Sequence, residues 1–339
     1  MTGDKPFKLI GNSRVIEFSP DGKFIFIGDH DGGFKIYDVD KNSISYKTKL
    51  RGPKNDIMID YLGISFDNKY AAFSGLRKVW VVDVGMKDVI WEFEYSENER
   101  SLSIPFCFFN QSWQLVIPNG DTLLLYNIES QESHYISLPK RAGWTDCIAI
   151  SPDDTCIAYK SCNDGLDEEV FVYDVETGKL LYTIHVSYPS LRASQVSISR
   201  NMRFVDNDTL LVLRKGIGLS YFNLRSGTEI LTRTWEEMGF KTVHSFWNAK
   251  VSSCGRYVLF NKETPDATTP PGEWYVTVPD GCEYVLYDIK ENNILFRVKL
   301  GQSPASFHME RNLFAYIQTE YDDNDRRSKY LHINKNMLG

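Results

Sequence analysis

The side chains able to do chemistry are scattered along the chain. Its six histidines, His30, His134, His185, His244, His308 and His332, have no metal-ligand spacing, and its six cysteines, Cys107, Cys147, Cys156, Cys162, Cys254 and Cys282, form no CxxC pair. Asp29-His30-Asp31-Gly32 matches the start of a calcium loop but lacks the later ligands and the closing glutamate, so it reads as a hairpin turn. Gly216-Ile217-Gly218 is too short for a dinucleotide fingerprint, and no GxSxG, GxxxxGK[ST] or HExxH motif occurs. No catalytic residue, metal or cofactor is expected. Recognition chemistry is better represented. Trp274 and Tyr275 stand together in a proline- and threonine-rich stretch from Lys262 to Glu283, and exposed aromatics of this kind anchor interfaces.

Charge and composition narrow the partner. Lysine and arginine total 38 against 45 acidic residues, a net charge of −7, which argues against a general nucleic-acid binder and leaves a protein or peptide as the expected partner. The amino terminus has no apolar signal-like core, and no apolar run reaches membrane-spanning length. Cys107, Cys147 and Cys156 lie inside apolar runs as free thiols would, so a reducing, cytoplasmic setting is expected.

The elements that must position these residues repeat. Thr145 to Val186 contains four runs rich in β-branched and aromatic residues, separated by turn chemistry at Ser151-Pro152-Asp153-Asp154, Asn163-Asp164-Gly165 and Glu176-Thr177-Gly178, which reads as a four-stranded antiparallel meander. Its third run ends in Tyr173-Asp174-Val175. The same pattern stands at Tyr37-Asp38-Val39, Val82-Asp83-Val84, Tyr126-Asn127-Ile128, Phe222-Asn223-Leu224 and Tyr287-Asp288-Ile289, with a weaker copy at His332-Ile333-Asn334. The intervals are 45, 44, 47, 49, 65 and 45 residues. Four strands in about 45 residues is the period of a propeller blade, and the long interval marks an insertion.

On these residues the chain resembles the WD40 and WD40-like β-propeller superfamily. Its SPDG turn stands at Ser19-Pro20-Asp21-Gly22 and Ser151-Pro152-Asp153-Asp154, with looser forms at Ser65-Phe66-Asp67-Asn68 and Ser252-Ser253-Cys254-Gly255. Tyr-Asp, Tyr-Asn or Phe-Asn replaces the family's Trp-Asp and no Gly-His pair opens a repeat, so the family's His–Asp–Ser/Thr–Trp network does not carry over. The expectation is an all-β chain forming one seven-bladed propeller of four-stranded antiparallel blades. Blades are expected at about 13–50, 56–95, 104–138, 144–186, 195–235, 244–300 and 303–335, the last completed by the amino-terminal strand at 5–11, with the insertion, 262–283, in blade six.

The resemblance also implies a face. In this superfamily the loops entering each first strand and those joining second to third strands emerge together on the top. That would put the insertion there, with Arg14, Asp60, Trp144, Asp146, Arg200 and Trp247 near the mouth of the channel. Charges on the inferred top loops segregate: Arg77, Lys78, Lys140, Arg141, Arg192, Arg214 and Lys215 on blades two, three and five, and Asp29, Asp31, Asp164, Asp167, Glu168, Glu169, Asp322, Asp323 and Asp325 on blades one, four and seven. A non-catalytic scaffold binding its partner on this face is the leading expectation. The alternative is a lactonase- or hydrolase-like propeller enzyme, lined in its channel by Asp60, Asp146, Asn201, His244 and Asn248.

Overall fold

The computed structural model describes residues 6–9, 13–50, 59–75, 77–95, 105–138, 143–163, 168–186, 198–214, 217–240, 250–252, 254–262, 283–300, 304–321 and 327–336. Among the described residues the regular elements are 28 strands, paired into seven four-stranded antiparallel sheets. The fold is the all-β, seven-bladed propeller that the repeat predicts. The chain divides into two compact units, Met1–Leu138 with Ser303–Gly339, and Pro139–Gln302.

The first unit holds four blades. Blade seven is β1 (Phe7–Leu9) with β26 (Ala305–His308), β27 (Leu313–Tyr321) and β28 (Arg327–Lys335). As expected, the amino-terminal strand completes this sheet, with Phe7, Lys8 and Leu9 opposite Leu331, Tyr330 and Lys329. Blade one is β2 (Ser13–Phe18), β3 (Phe24–Asp29), β4 (Gly33–Asp38) and β5 (Ser43–Lys49). Blade two is β6 (Tyr61–Ile64), β7 (Tyr70–Gly75), β8 (Lys78–Asp83) and β9 (Asp88–Glu94), and blade three is β10 (Cys107–Phe108), β11 (Gln114–Asn119), β12 (Thr122–Asn127) and β13 (Ser133–Ser137).

The second unit holds three. Blade four is β14 (Gly143–Ile150), β15 (Cys156–Asn163), β16 (Glu168–Asp174) and β17 (Leu180–Val186). Blade five is β18 (Ile198–Phe204), β19 (Thr209–Arg214), β20 (Gly218–Asn223) and β21 (Thr228–Thr234), and blade six is β22 (Lys250–Val251), β23 (Tyr257–Lys262), β24 (Glu283–Asp288) and β25 (Asn293–Lys299).

Two turn chemistries recur in the repeats, the first in blades one to six and the second in blades one, two and four. Where the third strand ends, the Asp or Asn of the tripeptide caps the turn to the fourth: Asp38 Oδ1 accepts from the Lys41 amide at 2.9 Å, Asn127 Oδ1 from Ser130 at 3.0 Å, and Asp174 Oδ1 from Thr177 at 2.7 Å. Either residue type serves because only the acceptor oxygen is used. Between first and second strands, a serine hydroxyl bonds the aspartate two residues on and accepts the amide five on, as Ser19, Ser65 and Ser151 do. The fourth turn position takes left-handed φ, at Gly22, Asn68, Asp154 and Gly255, which is why only Gly, Asn or Asp stands there.

Alternate side chains of each central strand serve two cores. In β19, Leu210 and Val212 join a cluster with Ala158, Val170 and Val172 of blade four, while Leu211 and Leu213 join Val258, Phe260 and Val285 of blade six. In β8, Val79 and Val81 pack toward Leu115 and Ile117 of blade three, and Trp80 and Val82 toward Phe26 and Phe34 of blade one. Period-two alternation with both faces apolar is the sequence pattern of a sheet buried on both sides.

Candidate partner-binding site

The site residues expected from sequence on the first unit come together at one end of blades one and two. β2 and β6 start there and β3 and β7 finish there, since Ser13 pairs with Asp29 and Tyr61 with Ser74. Arg14, the second residue of β2, reaches across to Asp60, immediately before β6, with Nε 2.6 Å from Oδ1. The Asp60 side chain is 5% exposed and that of Arg14 46%, so the carboxylate is internal and the arginine side chain is half exposed. Asp60 is itself fixed by its amide, which donates to the Ser74 carbonyl at 2.9 Å.

Beneath this pair lies a buried polar network that the sequence does not announce. Asp29 accepts from the Ser13 hydroxyl at 2.9 Å and pairs with the Lys35 ammonium, while Lys329 of β28 donates to the Ser13 carbonyl at 2.8 Å. A buried carboxylate needs such partners, because an unpaired charge out of water is costly. The one sequence signal was Lys35 itself, a lysine between Phe34 and Ile36 inside an apolar strand. Asp29 is therefore not among the charges displayed on this face, at 2% exposure, and Arg214, donating to Ser220 and Glu229 at 5% exposure, is not displayed on blade five either. Both were expected in the loops; they lie at the ends of β3 and β19, where inward-facing polar groups are hydrogen-bonded.

Arg77 and Lys78 have different fates. Arg77 takes left-handed φ (67°) in the tight turn between β7 and β8, and its carbonyl accepts from the Tyr95 amide at 2.9 Å. Lys78 turns along the sheet, its ammonium 2.5 Å from Glu92 and 5.8 Å from the Trp80 ring centre, so its charge is matched within the blade. In the second unit, Trp144 and Asp146 are placed as backbone in β14 and Arg200 and Asn201 in β18. Trp247, Trp274, Tyr275, His244, Asn248 and residues 263–282 of the insertion lie outside the described residues.

Among the described residues no group of three or more His, Cys, Asp or Glu is placed to hold a metal, and no helix is long and apolar enough to cross a membrane. Cys107, Cys147, Cys156 and Cys254 take part in no disulfide. The Arg14–Asp60 pair thus holds a partly exposed cationic side chain in place against a buried carboxylate.

No protein-family model matches the chain, and no curated protein does. Among solved structures it is similar to the β-propeller domain of Cps50 (Swd1) from Myceliophteria thermophila, at 15% identity and a TM-score of 0.67, covering 97% of this chain and 98% of that one. At that identity the likeness establishes the fold, a β-propeller, over nearly the whole length of both chains.

Proposed function

We propose that the chain is a non-catalytic interaction module that takes a protein or peptide partner at the strand-start end of its blades, with Arg14 of the first unit as an anchor. One observation carries this reading: a half-exposed arginine side chain is held by a buried carboxylate, so its side-chain entropy is already spent before a partner arrives. The partner group that fits is a carboxylate. On sequence grounds the same reading extends to Trp144, Asp146, Arg200, Trp247, Trp274 and Tyr275 of the second unit, as aromatic and charged anchors of their own.

Affinity capture with the full chain, with R14E and with a version lacking Pro265 to Val278, read by mass spectrometry, tests it. The expected result is a stoichiometric partner whose binding weakens about tenfold or more in R14E at a temperature where the variant is still folded, its midpoint lowered because Asp60 loses its partner. A partner held equally by all three would place the contact elsewhere, and so would binding that weakens only where R14E unfolds.

A further inference from the structure

We propose a second docking surface at the opposite ends of the blade two and blade three sheets, built on Phe66 and Trp113, that takes a basic peptide segment with apolar flanks from another protein. It uses no residue of the Arg14 end, so the two readings stand or fall separately.

The two aromatics break the repeat where nothing structural asks for them. The position of Phe66 in the Ser-x-Asp turn is proline in blades one and four, Pro20 and Pro152. The position of Trp113 is fixed by a bond that every blade from one to six makes: the carbonyl before the second strand accepts the amide after the tripeptide Asp or Asn. That carbonyl belongs to Lys23, Lys69, Trp113, Thr155, Asp208 or Arg256. Five of six are polar. In blade three a tryptophan stands there instead, 37% exposed, beside Phe66 at 39%, with ring centres 6.2 Å apart and planes 34° from parallel. Large aromatics left this open fill no core.

The indole is also held still. Trp113 Nε1 donates to Asp67 Oδ2 at 2.8 Å, while Asp67 Oδ1 accepts from the Ser65 hydroxyl at 2.8 Å and the Lys69 amide at 3.0 Å. A rigid exposed ring binds without losing rotamer freedom. Its face already accepts a cation: the Lys69 ammonium lies 5.5 Å from the Trp113 ring centre and 4.9 Å from that of Tyr70. That cation is spoken for by Glu129, whose Oε1 also accepts the Tyr70 hydroxyl at 2.7 Å.

Charge then selects the occupant. Asp67 holds the indole directly, and Glu129 pairs with the Lys69 ammonium that lies over it, so two carboxylates stand against one lysine in this cluster. Burial pushes the Asp67 carboxyl up, but bonds from Trp113, the Lys69 amide and Ser65 outweigh it and hold it below the usual carboxylate range; the Lys69 ammonium and Tyr70 hydroxyl do the same for Glu129. Ionised carboxylates beside exposed rings favour a lysine or arginine that covers a ring with its stem.

A phage-displayed library of random 12-residue peptides, selected on the full chain and then titrated against F66A/W113A and E129Q, decides the matter. The expected winners carry Arg or Lys beside an apolar residue, bind the double variant at least tenfold more weakly, and weaken in E129Q and in high salt. E129Q, on an exposed glutamate, keeps the test alive if the double variant misfolds. Acidic or uncharged winners, winners indifferent to both variants, or no enrichment at all would overturn the proposal. So would concentration-dependent dimers in sedimentation that vanish in F66A/W113A, since the surface would then belong to a second copy.

Discussion

At the scale of single residues, the repeat leaves one hydroxyl stranded. Tyr37 and Tyr287, the aromatics of the tripeptide in blades one and six, donate to the Oδ1 of Asn42 and Asn292, five residues on. Those asparagines sit at φ 52° and 53°, a left-handed corner that asparagine tolerates. In blade four the corner is Gly178, which satisfies the backbone but offers no acceptor, and the buried Tyr173 hydroxyl has no partner among the described residues. Burial pushes its phenol up to about 12. Removing an unpaired hydroxyl costs nothing, whereas removing a paired one loses about 1 kcal/mol. We therefore expect Y37F and Y287F each to lower stability by about 1 kcal/mol in urea unfolding, and Y173F to be neutral or stabilising. G178N should then recover stability in the Tyr173 background and not in Y173F. The tripeptide itself was legible in sequence. The asparagine five residues on was not, because its role is visible only once the turn brings it back over the ring.

At the scale of elements, the capping turns divide by chemistry. Blades one, four and six use Asp38, Asp174 and Asp288; blades three and five use Asn127 and Asn223. The Lys41 ammonium holds the Asp38 carboxyl below its ordinary range, and the Thr177 hydroxyl and amide do so for Asp174. For Asp288, burial pushes upward, but Arg256 and the amides of Glu291 and Lys290 outweigh it. Each folded-state pKa is thus below the unfolded one. Their stabilisation is present above the unfolded carboxylate pKa, near 4, and is lost as pH falls through the folded value. The asparagine turns do not titrate. Hydrogen exchange, corrected for intrinsic rate, should show the Lys41, Thr177 and Glu291 amides losing protection several-fold more than those of Ser130 and Ser226 between pH 7 and pH 3. Equal loss in all five would mean that acid acts elsewhere. The strands around these turns were readable because tripeptide and Ser-x-Asp turn recur at fixed spacing. Blade five reads least clearly, and its inner pair is also irregular, with a register shift between Ile198 and Met202.

At the scale of the whole molecule, no described blade has a core of its own, and each unit must be understood as a row of shared interfaces. The fold was legible for that reason: both faces of every central strand are apolar, and a period near 45 residues repeats the demand seven times. The candidate sites were less legible, because they join residues far apart in sequence, Arg14 with Asp60 and Phe66 with Trp113, at positions that carry no period. Shared interfaces make a directional prediction within the second unit. Leu211 and Val212 are consecutive, equally buried residues of β19 that face opposite ways, Leu211 into the cluster with blade six and Val212 into the cluster with blade four. Truncating Leu211 to Ala should cost about 2–5 kcal/mol, and Val212 to Ala somewhat less. The two effects should travel in opposite directions. In L211A, exchange should accelerate at Val258 and Val285 while Ala158 and Val172 stay protected; V212A should do the reverse. If both variants loosened blades four and six alike, β19 would be transmitting strain through its backbone, and the unit would respond as one body instead of as a chain of paired faces.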